Sequence, residues 1–188
     1  MALYYGTNEV KKVFYGTQEV KEVWYGTTKV FSSFVPYTVT YNAQNSDVSN
    51  WWYAPYAGTY KIEIWGGSGG PGYDCYDEGA YGSGGSGGNG GYNTTQITVV
   101  FNHAIYWTAG RYTSSYGQYG GTTTFHAASP ISATGGGPGS NAYCEYYNWW
   151  NGSPGTDGSP YNANLEYGYY WGGTGRAGGA VRITRLNV

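Results

Sequence analysis

Glycine constrains this chain more than any other residue. Of 34 glycines, only Gly6, Gly16, Gly26 and Gly58 precede Gly66; the rest lie between Gly66 and Gly179. They fall in runs, and the longest, Gly84-Gly85-Ser86-Gly87-Gly88-Asn89-Gly90-Gly91, beats in threes. An extended helix of polyproline II type has three residues per turn and rises ~3.1 Å per residue. Glycine on two of every three positions lets such helices pack backbone against backbone. Their N–H and C=O groups can then bond between neighbours, as a buried backbone requires. Shorter runs at 66–72, 135–139 and 172–179 supply candidate neighbours. Glycine-rich chain is otherwise flexible coil. Packed helices are the preferred reading, because each run adjoins a good strand.

The clearest strand is Tyr60-Lys61-Ile62-Glu63-Ile64-Trp65, with Tyr60, Ile62 and Ile64 on one face and Lys61, Glu63 and Trp65 on the other. Residues 95–101, 104–108, 122–126 and 180–186 read as further strands, and no helical period of useful length appears. The expected class is all-β: a β-sandwich-like domain over 35–188 with glycine-rich polyproline-II-type helices and aromatic loops, preceded by a small repetitive β-module. That module spans 1–34. Leu3-Tyr4-Tyr5-Gly6-Thr7-Asn8-Glu9-Val10 repeats as Val13-Phe14-Tyr15-Gly16-Thr17-Gln18-Glu19-Val20 and as Val23-Trp24-Tyr25-Gly26-Thr27-Thr28-Lys29-Val30. Gly-Thr and the two residues after it read as a four-residue turn, with a six-residue strand between turns.

Composition removes several functions. Charged residues are only 11% and the net charge is -2, so a surface for gripping phosphate backbones is not expected. No apolar run reaches the ~20 residues of a membrane span. The N-terminus has neither the cationic start nor the apolar stretch of a signal peptide, so synthesis and assembly in a cytoplasm are expected. No cofactor is expected. Cys75 and Cys144 with His103 and His126 do not make a structural zinc site, and the cysteines are open to a disulfide or to two free thiols. Gly67-Ser68-Gly69-Gly70-Pro71-Gly72 satisfies G-x-G-x-x-G, and Gly66-Gly67-Ser68-Gly69-Gly70 satisfies G-x-S-x-G. Each motif needs a helix next, and Tyr73-Asp74-Cys75-Tyr76-Asp77-Glu78-Gly79 does not form one.

The order of short motifs carries a resemblance. A strand ends in Ile64-Trp65-Gly66-Gly67-Ser68-Gly69-Gly70, and a glycine stretch closes in Gly90-Gly91-Tyr92. A β-pair follows, Ile97–Phe101 with Ala104–Arg111, then Gly120-Gly121-Thr122-Thr123-Thr124-Phe125 and Ile131-Ser132-Ala133-Thr134-Gly135-Gly136-Gly137. Last comes Gly175-Arg176-Ala177-Gly178-Gly179-Ala180-Val181-Arg182-Ile183. Over residues 51–188 this resembles the glycine-rich domain of bacteriophage tail fibres and tip adhesins, which also occurs in the extracellular part of anaplastic lymphoma kinase receptors. The Tyr-Gly-Thr units are similar to short repeats near the termini of phage tail and baseplate proteins.

The resemblance implies a virion protein, assembled in the host cytoplasm and exposed outside, that touches a host-surface receptor such as a polysaccharide. Glycine helices would form the scaffold and loops would carry recognition. Residues 1–34 would join other tail or fibre proteins, and a homotrimer is compatible. The expected binding residues are Tyr73, Tyr76, Asp77 and Tyr81 in one loop, Tyr146, Tyr147, Trp149 and Trp150 in a second, and Tyr169, Tyr170 and Trp171 in a third. Tyr and Trp give large rigid contact areas at low entropic cost. Two other readings are a non-adhesive virion subunit (head fibre, decoration or baseplate) and a glycan depolymerase using Asp77 with Glu145, should their loops meet. An enzyme ranks last.

Overall fold

The computed structural model describes residues 4–5, 8–10, 12–20, 22–32, 34–162, 166–168, 170–171 and 175–187. The chain divides into two compact units, Met1–Tyr37 and Thr38–Leu186.

The first unit holds one antiparallel hairpin per ten-residue repeat. β1 (Tyr4–Tyr5) pairs β2 (Asn8–Glu9), β3 (Val13–Tyr15) pairs β4 (Gln18–Val20), and β5 (Glu22–Tyr25) pairs β6 (Thr28–Ser32). In the second and third repeats the turns are shorter than expected. Only Gly16-Thr17 and Gly26-Thr27 turn, and the two residues after each are already strand. Gly16 at φ 63° and Gly26 at φ 59° supply the left-handed step that reverses the chain this tightly.

The second unit runs β7 (Thr38–Asn42), β8 (Val48–Tyr53), β9 (Gly58–Trp65), β10 (Cys75–Asp77), β11 (Ala80–Gly82), β12 (Tyr92–Val99), β13 (Ala104–Ala109), β14 (Thr123–Phe125), β15 (Ile131–Ala133), β16 (Tyr143–Glu145), β17 (Asn148–Trp150), β18 (Tyr170–Trp171), β19 (Gly175–Arg176) and β20 (Ala180–Arg185). The fold is all-β. One four-stranded antiparallel sheet has the order β12-β9-β20-β7 and the other β15-β14-β13-β8. Their inner faces make the core. Tyr60, Ile62, Ile64, Val181 and Ile183 come from the first sheet, and Trp52, Ile105, Trp107 and Phe125 from the second, all buried. Trp52 meets Tyr60 edge-on at 5.0 Å, and Tyr41 stacks on Trp107 at 4.4 Å. Offset and edge-on contacts of this kind add to the burial of each ring.

One expectation is corrected. Ile97–Phe101 and Ala104–Arg111 do not pair: β12 pairs β9, β13 pairs β8, and the turn between them carries the chain from one sheet to the other. Asn102, at φ 61°, makes that turn, and its N–H bonds to the Ala54 carbonyl. Glu63 and Trp65 face away from the core yet are also buried. Tyr167 and Tyr92 each lie 5.2 Å from Trp65, and the Arg182 guanidinium sits 5.0 Å above it.

From one end of the sandwich the chain leaves in extended segments that run away and return. The first (66–72) follows β9 and the second (83–91) leads into β12. The third (110–114) follows β13 and the fourth (118–121) leads into β14. The fifth (134–141) follows β15, and the sixth (151–160) returns. Between all but the third, bonding has a strict three-residue period. Gly66, Gly69 and Gly72 donate N–H groups to Gly91, Gly88 and Gly85 of the second segment, and Gly67 and Gly70 donate to Gly121 and Gln118 of the fourth. Gly85, Gly88 and Gly91 donate to Ser140, Gly137 and Thr134 of the fifth; Thr134, Gly137 and Ser140 then donate to Ser159, Thr156 and Ser153 of the sixth. Gly152, Gly155 and Gly158 donate back to Ser83, Ser86 and Asn89.

One neighbour every third residue is the signature of a three-fold extended helix. The packed-helix expectation therefore holds for 66–72, 84–91 and 135–139. In 172–179, residues 172–174 lie outside the described residues, and Gly175–Arg176 is strand. The segments 110–114, 118–121 and 151–160 are additions. Buried Thr123 joins lattice to sandwich: its hydroxyl accepts the Gly110 N–H and donates to the Trp65 carbonyl.

Candidate functional site

All six helices run between the sandwich and one far pole. The first spans 66–72, roughly 20 Å at ~3.1 Å per residue. Three loops close the lattice there, at 73–82, 115–117 and 142–150. The outer two are hairpins. β10 pairs β11 with Tyr76 opposite Tyr81, and β16 pairs β17 with Tyr143 opposite Trp150. Glu78 at φ 42° and Gly79 at φ 93° make a two-residue turn of the kind that fits hairpin twist.

Several contacts lock the hairpins together. Cys75 and Cys144 form a disulfide, which settles the choice the sequence leaves open. The Asp77 carboxylate accepts the Tyr146 N–H at 2.9 Å. The Ala142 N–H bonds to the Tyr73 carbonyl at 2.8 Å, and the Asn141 side chain accepts the Tyr73 N–H at 3.0 Å. Tyr146 itself sits at φ 50°. A bulky residue in the left-handed region costs on the order of 1–2 kcal/mol and persists where surroundings over-determine it. Here the Asp77 bond holds it.

The pole is densely aromatic. Tyr76 is 77% exposed and Tyr147 75%, and Tyr73, Tyr81, Tyr143, Tyr146, Trp149 and Trp150 are all more than half exposed. Eight of the expected residues, Tyr73, Tyr76, Asp77, Tyr81, Tyr146, Tyr147, Trp149 and Trp150, thus share this pole. Tyr116 of the middle loop joins them, stacked on Tyr73 at 4.5 Å. Tyr116 is not among the residues expected from the sequence. Its available signal is aromatic residues caught between Gly110 and Gly120-Gly121.

The third expected segment is elsewhere. Gly168 lies against the Gly66 carbonyl and Tyr167 against Trp65, at the sandwich end of the helices. Tyr170 and Trp171 form β18, paired with Arg176 and Gly175, and Tyr169 lies outside the described residues.

The tip is acidic as well as aromatic. Asp74 accepts the Gly84 N–H at 2.8 Å and the Tyr81 hydroxyl at 3.1 Å, and Glu145 accepts the Tyr143 hydroxyl at 3.2 Å. The Glu145 hydrogen bond and charge hold the Tyr143 phenol above its ordinary range, so it stays a neutral donor. The loops of Asp77 and Glu145 do meet. Glu145 is exposed, and Asp77 commits one oxygen to Tyr146. Among the described residues no group of three or more His, Cys, Asp or Glu could hold a metal ion.

No protein-family model matches this chain, and no curated protein is similar to it at a significant level.

Proposed function

We propose that this chain is a bacteriophage virion protein, a tail-fibre or tail-tip adhesin that grips a host-surface receptor through the aromatic pole. The observation that carries the reading is the convergence of three loops, with their exposed Tyr and Trp rings, on one end of a backbone-bonded lattice. A soluble protein rarely leaves so much apolar surface contiguous and uncovered unless it binds something. Rigid rings on a pre-ordered frame lose little entropy on binding. The motif order of residues 51–188 supports the phage assignment, and the hairpin repeats of 1–34 suit attachment to other tail or fibre proteins.

The test is direct. Fluorescent protein is expected to stain the host bacterium among a panel of strains, and Tyr147→Ala with Trp149→Ala to cut staining at least tenfold at unchanged melting temperature. Failure to stain any strain that the parent phage infects would overturn the reading. Removing residues 1–34 is expected to leave staining intact and to abolish incorporation into particles.

A further inference from the structure

The tip loops, residues 73–82, 115–117 and 142–150, contain Asp74, Asp77, Glu78 and Glu145 and no Lys, Arg or His. The nearest basic residue in sequence, Arg111, stands at the sandwich end of the third helix and is paired with Asp47 at 3.2 Å. The tip carboxylates are held by neutral donors instead: Asp74 by Gly84 N–H and Tyr81, Asp77 by Tyr146 N–H, Glu145 by Tyr143. Such bonds position a carboxylate and leave its charge uncompensated. In a chain with only 11 acidic residues, four of them are gathered on one aromatic surface.

That pairing of chemistries selects a ligand. Ring faces attract a guanidinium or ammonium group within ~6 Å of the centroid, and a nearby carboxylate completes the site. The chain already uses this contact internally: Arg182 lies 5.0 Å over Trp65, and Arg185 lies 4.9 Å over Tyr56. An anionic polysaccharide would meet like charge within the ~8 Å over which exposed charges act at physiological salt.

We propose that the tip binds a basic segment of a surface protein, whose Arg or Lys side chains lie on the Tyr and Trp faces and against Glu78, Glu145 and the outer oxygen of Asp77. This rests on the adhesin reading and narrows it: the receptor is a protein displaying positive charge rather than a neutral or acidic glycan.

Two arms test it on the full chain. In the first, a labelled peptide alternating Arg and Gly is titrated against the protein, beside a matched peptide with Glu in place of Arg. The Arg peptide is expected to bind and to shift the amide resonances of residues 76–81 and 145–150. Binding should weaken about threefold to tenfold in Glu78→Gln/Glu145→Gln, as expected for two exposed charge pairs. It should also weaken in Trp149→Ala, which simple charge attraction would not produce. No binding at the tip, or equal binding by the neutralised variant, overturns the proposal. In the second arm, stained host cells are treated with protease or with glycosidases; loss of staining on proteolysis alone supports it. Cells stained equally by wild type and Glu78→Gln/Glu145→Gln leave the adhesin reading standing and remove this one. Binding of the Arg peptide at the tip with no strain stained does the reverse.

Discussion

At the scale of single residues, the lattice turns on what a methyl group would strike. A Cβ at Gly88 would run into the Thr156 carbonyl, while Gly88 donates to Gly137 and accepts from Gly69. The obstacle is backbone pinned on several sides, so it cannot move aside as a side chain would. Gly88→Ala is expected to destabilise by about 3 kcal/mol or more, at the upper end for overpacking. Gly79 provides the contrast. It has φ 93° with nothing near its missing Cβ, so Gly79→Ala should cost only the ~1–2 kcal/mol of left-handed strain. Denaturant melts of the two variants separate steric from conformational need, and equal losses would argue against a packed lattice. Glu63 offers a second residue-scale expectation. Burial pushes its carboxyl up, but hydrogen bonds from Lys61, Arg182 and Tyr92 outweigh this and hold it below the ordinary range. A depressed carboxylate contributes stability above its unfolded value of about 4.3, and that contribution is lost as pH falls below it. Wild type should therefore lose stability from about pH 4.3 downward more steeply than Glu63→Gln, in melts run across that range.

At the scale of elements, position in the lattice decides how much glycine a helix needs. The second helix touches the first, fifth and sixth, and carries glycine at two of every three places: 84 and 85, 87 and 88, 90 and 91. The sixth donates to one neighbour and accepts from another, with glycine only at 152, 155 and 158. This is why the interior helices are legible in the sequence and the sixth is not: Asn151-Gly152-Ser153-Pro154-Gly155-Thr156 reads as coil until its partners are known. The strand of 60–65 is legible because alternation is a local signal, whereas the separation of β12 from β13 is not, since sheet membership depends on distant strands. Of the tip, the two hairpin loops stand out by their aromatic and acidic residues. The middle loop is short, and 161–171 resembles a tip loop in composition, while within it Tyr167 lies on Trp65 and Glu166 pairs with Arg182 at the opposite end. The edge helix has a side-chain tie as well. The Asp157 carboxylate accepts the Asn89 N–H at 2.8 Å, beside the Gly158–Asn89 bond. Asp157→Ala should cost about 1–2 kcal/mol, typical of a charge-assisted bond lost to a backbone donor. Amide exchange at Asn89 and Gly158 should accelerate ahead of exchange at Gly88. Uniform acceleration across the lattice would show instead that the helices open as one.

At the scale of the molecule, order passes from the sandwich through the lattice to the tip, and each stage has less core to rely on. The hairpins β10–β11 and β16–β17 have three-residue strands, too short to be stable alone in water. Their side chains are largely exposed, so they draw order from the helix ends below and from the Cys75–Cys144 link, which joins residues 69 apart in sequence. Closing a loop of that length removes unfolded-state entropy worth about 4 kcal/mol in the chain-entropy model, with measured effects usually smaller. The lattice and sandwich bonds do not pass through the cysteines. Reduction, or Cys75→Ser with Cys144→Ser, should therefore lower the melting temperature while the β-sheet circular dichroism at room temperature stays unchanged. The same change should raise amide exchange at residues 75–82 and 143–150 and weaken cell staining, since the rings would lose their fixed spacing. If reduced protein keeps full tip protection and full staining, the Asp77–Tyr146 and Tyr73–Asn141 bonds suffice to order the tip, and the disulfide acts only on global stability.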